Sequence, residues 1–315
     1  IGGDLEANNL EIQRALEILK EYPNRIQSGI VGNEVLLRKE LEPLELYAYI
    51  DFMKSHTKKP VTTAETWDIW EKNPQLASHV DFLTIHILPY WEKVPIERYN
   101  EFIIEKYSVV EELFPNRKIV IGETGWPSHG YNNNSAIPSI KNQAQAIRGF
   151  VNLAHEKGWH YNIIEALDQP WKGYDEGNVG QYWGIFTTDR ALKFQLAGEV
   201  ELNKYWLYQM IAAIIIGALL TLFGLKNQRV NISHAFAYAI AAQGMAFGIV
   251  MAAIYPFVNY MNFGMWIMWG MGSFLMIPLV IITLAKANEL FRSSIGVQPS
   301  RLVPLDLKSK NAPLV

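Results

Sequence analysis

Residues 1–204 alternate between two hydrophobic periods. Leu10, Ile12, Ala15, Leu16 and Leu19 keep roughly helical spacing and predict an amphipathic helix over 4–21. A β-rich run, Ile26 to Val35, follows and ends in Gly32-Asn33-Glu34. The same sequence of periods recurs along the chain. Helices are predicted over Pro43–Lys54, Glu97–Leu113 and from the capping residue Ser139 to about Glu156. Strands are predicted over Pro60–Thr66, Val80–Leu88, Lys118–Glu123 and Tyr161–Leu167. One strand-to-strand connection, after Thr66, is too short for a helix of ordinary length.

Strands alternating with helices predict a parallel sheet covered by helices. Each predicted strand ends in polar or aromatic residues: Asn33/Glu34, Glu65, His86/Tyr90, Glu123/Trp126 and Asp168/Gln169/Trp171. A (β/α)₈ barrel with its chemistry at one rim accounts for that decoration. A doubly wound sheet would place a Gly-rich phosphate loop after its first strand, and none stands there. About five of the eight barrel strands are countable, so the barrel reading requires three more upstream of Ile1.

Beyond residue 204 the pattern changes. Tyr205 to Leu225 contains no charged residue, and neither does Val230 to Ala285. The longer run breaks near Tyr255-Pro256. Three spans are predicted, at about 205–225, 235–258 and 265–285, with residues 286–315 as a tail. At 1.5 Å per residue, a span of about 20 residues crosses roughly 30 Å of hydrocarbon. The spans hold no Asp, Glu, Lys or Arg, which argues against ion-coupled transport. Gly244, Gly248 and Ala252 form a small-residue face in the second span that predicts helix packing, most simply within the chain.

The net charge of −3 conceals a division. Residues 205–315 hold two acidic and seven basic side chains, which leaves the first part acidic. There is no basic stripe for nucleic acid. Lys226 and Arg229 lie between the first two spans, and Lys286, Arg292, Arg301, Lys308 and Lys310 follow the third. The positive-inside bias then predicts a multi-pass protein of the cytoplasmic membrane with a cytoplasmic C-terminal tail. The head, residues 1–200, is then expected on the extracytoplasmic side. The absence of Cys removes disulfides and thiolate chemistry. A head of this size needs an upstream signal or anchor for export, and the strand count also falls short at the N-terminus. Both point to an N-terminally truncated chain.

Glu34 and Glu123 close two different strands. Facing one another across a barrel mouth, they suit a glycosidase pair, retaining at about 5–5.5 Å separation and inverting when wider. The alternative is a pair of ordinary rim carboxylates. No cofactor is expected. The seven His residues show no ligand spacing, so no metal is expected either.

Val31-Gly32-Asn33-Glu34-Val35 and Ile121-Gly122-Glu123-Thr124-Gly125-Trp126-Pro127-Ser128 together resemble glycoside hydrolase family 17, the β-1,3-glucanases and glucanosyltransferases. The stretches Pro60–Glu65, His86–Trp91, Glu165–Lys172 and Trp183–Phe186 add to the resemblance, which is closest to bacterial membrane-attached members. It implies a (β/α)₈ fold with strands four to eight present, Glu34 as acid/base and Glu123 as nucleophile. The resemblance also places Lys172 near the acid/base. From their positions at strand ends, Asn33 and Glu65 are candidate sugar contacts, His86 and Tyr90 are candidates to orient Glu123 or the sugar, and Trp126 and Trp171 are candidate flat platforms for sugar faces. Gln169 stands where plant-type enzymes have an acidic residue, and Leu88 replaces an aromatic. The expected activity is an endo-1,3-β-glucanase-like O-glycosyl hydrolase on β-glucan or its oligosaccharides, held in a lipid bilayer. Glucanosyl transfer is the alternative within the same chemistry. A non-catalytic glucan-binding module of a glucan synthase complex is the alternative outside it.

Overall fold

The structure is a computed structural model and describes residues 1–200, 205–226, 228, 230–258 and 263–294. The chain forms two compact units, Ile1–Leu202 and Asn203–Val315.

In the first unit, α1 (Leu5–Glu21) starts where Asp4 accepts from the N–H groups of Glu6 and Ala7. β1 (Gly29–Asn33) is followed by α2 (Pro43–His56), which opens with a Glu42/Glu45 capping box and Pro43. β2 (Val61–Thr66) leads into α3 (Trp67–Lys72), then β3 (Leu83–His86), α4 (Tyr99–Leu113) and β4 (Ile119–Thr124). α5 (Ile140–Lys157) is capped by Ser139 and stopped by Gly158 at φ 68°, and β5 (His160–Ile163) follows. The five strands run in the order β1-β2-β3-β4-β5, each pair parallel.

The core lies between sheet and helices. Leu83, Ile85 and Ile121 from the sheet join Leu46 and Ile50 of α2, Ile103 of α4 and Phe150 of α5 in one buried cluster. Each such side chain contributes roughly 1.5–3 kcal/mol by leaving water.

Two expectations need correction. The short β2–β3 connection contains α3, whose six residues are too few for a helical period to register. Its Trp70 is fully buried and donates to the Thr84 carbonyl at 2.9 Å. The apolar run expected to form a strand to Leu167 leaves the sheet after Ile163. Its later residues pair with the chain at 183–186: Glu165 N–H donates to the Trp183 carbonyl, and Ile185 N–H to that of Glu165.

In the second unit, α6 (Trp206–Leu225), α7 (Ile232–Val258) and α8 (Phe263–Ser294) are each long and apolar enough to cross a membrane. α8 continues past residue 285 through Lys286 and Glu289, so the first part of the expected tail is helical. Arg229, Arg301, Lys308 and Lys310 lie outside the described residues. Close glycine packing occurs at Gly217, against Gln243, and at Gly224, against Tyr238. Of the expected small-residue face, Ala252 meets Trp269 of α8, whereas a Cβ at Gly244 or Gly248 would meet nothing within 4 Å among the described residues.

Candidate active site

The two strands that carry the catalytic candidates each hold one extra residue. Between Ile30 and Asn33 of β1, three steps oppose two of β2, Thr62 to Ala64. Between Ile121 and Thr124 of β4, three steps oppose two of β5, Tyr161 to Ile163. On its other side, β4 steps from Ile121 to Glu123 while β3 advances only from Ile85 to His86. Such bulges re-aim side chains at sheet ends. In a regular strand, Glu123 would share the core-facing side of Ile121. The extra residue brings it level with His86 instead.

Glycine permits both bulges. Gly32 sits at φ 85° and Glu34 at φ 57°, both in the left-handed region. A Cβ on Gly122 would lie 2.5 Å from Thr84 Cγ2 and 2.9 Å from the His86 ring. The imidazole therefore occupies space that any other residue at 122 would need.

His86, only 1% exposed, joins the two carboxylates. Its Nδ1 is 2.8 Å from Glu34 Oε1 and 3.8 Å from Glu123 Oε2. The three groups bring one ligand atom each within 4.8 Å of one another. An ionised carboxylate only accepts, so with Glu34 charged the Nδ1 proton is donated to it. The same three side chains are the ones that could hold a cation. Sequence spacing pointed away from any metal because these residues are 52 and 37 positions apart.

Around this core, Arg38 Nη1 is 3.8 Å from Glu34 Oε2. Lys172 Nζ is 2.8 Å from Glu165 Oε2, to which Gln169 also donates. Glu165 Oε1 is buried and has no hydrogen-bond partner among the described residues. Burial raises the Glu123 carboxyl above the usual range; His86 and Lys172 pull it back, while Glu34 and Glu165 push it up. Burial likewise raises Glu176, with Lys172 opposing and three carboxylates adding to the rise. Burial pushes Glu65 up to about 7 against two backbone N–H donors. A surplus of closely spaced carboxylates favours keeping protons in the cluster.

The predicted sugar contacts divide. Asn33 and Trp171 are exposed, Trp171 at 59%. His86 touches both carboxylates and acts on them. Lys172 pairs with Glu165 and also lowers the Glu123 carboxyl. Three assignments are corrected by burial. Glu65, at 0% exposure, accepts from the Leu36 and Leu37 N–H groups. Tyr90 is fully buried, donates to the Tyr131 carbonyl at 2.7 Å and packs edge-on against Trp126 and Trp183. Trp126 is also fully buried and donates to the Ile137 carbonyl at 3.0 Å. These rings support the rim from beneath and offer no face to a sugar. Sequence reasoning missed Arg38, Glu165 and Glu176 as members of the charge cluster. The signal available for Glu165 was its place just before the Asp168-Gln169 pair.

Asp168 and Lys193 form a separate buried pair. Lys193 Nζ lies 2.6 Å from Asp168 Oδ1 and 2.7 Å from Ser128 Oγ, tying together three loops behind the site.

Residues 1–184 match the BtgE/BtgC glycoside hydrolase domain family. A glucan 1,3-beta-glucosidase of Saccharomyces cerevisiae is 28% identical over 214 residues, covering 60% of this chain and 67% of that protein. A probable beta-glucosidase btgE of Aspergillus terreus is 30% identical over 162 residues, covering 49% of this chain but 28% of that protein. Among solved structures, a family 17 β-1,3-glucanosyltransferase from Rhizomucor miehei aligns with a TM-score of 0.51 at 27% identity, covering 58% of this chain and 69% of its own. The chain thus belongs to the BtgE/BtgC glycoside hydrolase domain family, and with it to the family 17 β-1,3-glucanases.

Proposed function

We propose that the protein is a membrane-anchored retaining glycoside hydrolase acting on β-1,3-linked glucan. One observation carries the reading: Glu34, His86 and Glu123 bring their polar atoms within 4.8 Å of one another. That spacing suits direct attack by one carboxylate and leaves no room for the intervening water that inversion requires. Glu34 protonates the glycosidic oxygen while Glu123 attacks the anomeric carbon. The C–O bond to the leaving sugar breaks, and an ester to Glu123 forms. Glu34, now ionised, takes a proton from water as the water displaces Glu123. His86 and Lys172 favour the ionised form of Glu123 that a nucleophile needs. Trp171 offers an exposed ring to a sugar face.

A second reading replaces water with a sugar hydroxyl and makes the protein a glucanosyltransferase. It is favoured by the likeness to the Rhizomucor enzyme, of which an active-site mutant is known in complex with laminaritriose. The rival from another class is a glucan-binding scaffold in a glucan synthase complex.

Incubating the intact protein in detergent with laminari-oligosaccharides, followed by product chromatography, separates the readings. Shorter products mark hydrolysis and longer ones transfer. Binding without any change in chain length would favour the scaffold. Glu123→Gln is expected to lower turnover by at least about 10³-fold, since it removes the covalent route. Unchanged turnover in that variant would falsify the assignment.

A further inference from the structure

Glu65 is the one fully buried carboxylate among the described residues that the mechanism leaves without a role. It sits in the last turn of a strand pattern, Val61-Thr62-Thr63-Ala64-Glu65-Thr66, where a short apolar residue would pack more simply. Removing a carboxylate from water without partners is expensive, so its partners show what it serves. They are not sugars. Oε1 accepts from Leu36 N–H at 2.8 Å, and Oε2 from Leu37 N–H at 3.3 Å.

Those N–H groups belong to the turn that follows Glu34. In that turn Arg38 N–H donates to the Glu34 carbonyl, and Glu40 N–H to that of Val35. Glu34 N–H itself donates to the Ala64 carbonyl at 2.7 Å, one residue before Glu65. Glu34 is in the left-handed region, which a residue with a long side chain occupies only when its surroundings hold it there. Two anchors from β2 do so, the Ala64 carbonyl before the turn and the Glu65 carboxylate after it. Register shows from which side Glu65 acts. Glu65 pairs with Ile85, and Thr66 with His86. Neighbouring residues of a strand face opposite sides, so Glu65 leaves the sheet on the side away from His86.

We propose that Glu65 is a positioning residue for Glu34, gripping from behind the turn that aims the Glu34 carboxyl at His86 and the cleft. The inference rests on the reading of Glu34 as acid/base. Loss of Glu65 frees two N–H groups and lets the turn relax, and Glu34 then no longer meets the glycosidic oxygen in line.

The test compares Glu65→Ala, Glu65→Gln and Glu34→Gln in the intact protein on two substrates. Laminari-oligosaccharides need protonation of the leaving oxygen. A dinitrophenyl β-glucoside does not, and azide then displaces Glu123 from the anomeric carbon with no base required. Glu65→Ala is expected to lower kcat on laminari-oligosaccharides by about 100-fold with KM little changed, the scale of a lost acid/base. On the dinitrophenyl substrate with azide it should recover to within about tenfold of the parent and form the glucosyl azide. Glu65→Gln, which keeps an acceptor for Leu36 N–H, should fall between the two and covers the case in which the alanine variant does not fold. If Glu34→Gln is rescued by azide and the Glu65 variants lose equally on both substrates, Glu65 is merely structural and the inference is overturned. If Glu34→Gln itself is not rescued, the acid/base reading fails first.

Discussion

Glu123 carries the sharpest electrostatic conflict at the level of single residues. In the proposed mechanism Glu123 must be ionised to attack, yet burial and two neighbouring carboxylates raise its pKa. Lys172 is one of two groups opposing that rise. In Lys172→Gln the cation is gone, and Glu165, whose partner it was at 2.8 Å, is left uncompensated. Both changes have the same sign. They make ionisation of Glu123 harder, so the acidic limb of the pH–kcat/KM profile moves to higher pH. Activity is then lost first on the acid side, while the alkaline side changes little. A profile that stays in place or moves to lower pH would show that Lys172 does not act on the nucleophile. Glu34 and Glu123 were legible in the sequence because a strand's end is where a hydrophobic run stops. Arg38 and Glu176 were not, because they reach the cluster from turns that carry no period. Tyr90 and Trp126 were misread for a related reason. An aromatic after a strand looks the same in sequence whether it lies on the rim or beneath it.

The elements were read more securely than the residues, since α1, α2, α4, α5 and the five strands all follow from hydrophobic spacing. Spacing does not reveal a bulge, and here the bulges decide the site. Gly122 looks in sequence like a simple strand terminator. In the fold it is the extra residue that brings Glu123 level with His86, and a Cβ there would lie 2.9 Å from the His86 ring. Gly122→Ala is expected to destabilise the protein by about 1–3 kcal/mol through overpacking. It should also lower turnover by about tenfold or more, because an ångström-scale shift of a positioning group is felt strongly in the transition state. Adding Thr84→Ser removes the nearest clashing atom, Cγ2, and leaves the contact with His86. The double variant should regain thermal stability while activity stays low. Recovery of both together would mean that the His86 contact is not what Gly122 protects.

For the whole molecule, the second unit turns much of its apolar surface outward. Leu222, Phe223, Phe236, Met268 and Phe274 are each more than two-thirds exposed. Polar side chains turn inward: Gln243 donates to the Ala213 carbonyl at 2.9 Å, Trp269 to that of Ala252, and His234 meets Asn288 at 2.8 Å. Apolar outside and polar inside is the arrangement a lipid solvent selects, because hydrocarbon offers no partner to a stray donor. The uncharged runs made this legible from the sequence. The packing was less so: among the described residues Gly244 and Gly248 stay open, and the close approaches fall at Gly217 and Gly224. A glycine marks where helices can meet, and the partner's side chains decide whether they do. Gly217→Leu places a bulky side chain where Gln243 sits, so α6 and α7 must separate and the bond to Ala213 is lost. The parent protein should remain in the membrane pellet after alkaline carbonate washing and be released by mild detergent. The Gly217→Leu variant should remain in the pellet too, since its apolar surface is unchanged. After detergent extraction it should aggregate or lose thermal stability, as the unit then depends on its own helix contacts. Release of the parent by carbonate alone would rule out integral helices. Equal detergent stability of the two proteins would rule out Gly217 as the point where α6 and α7 lock.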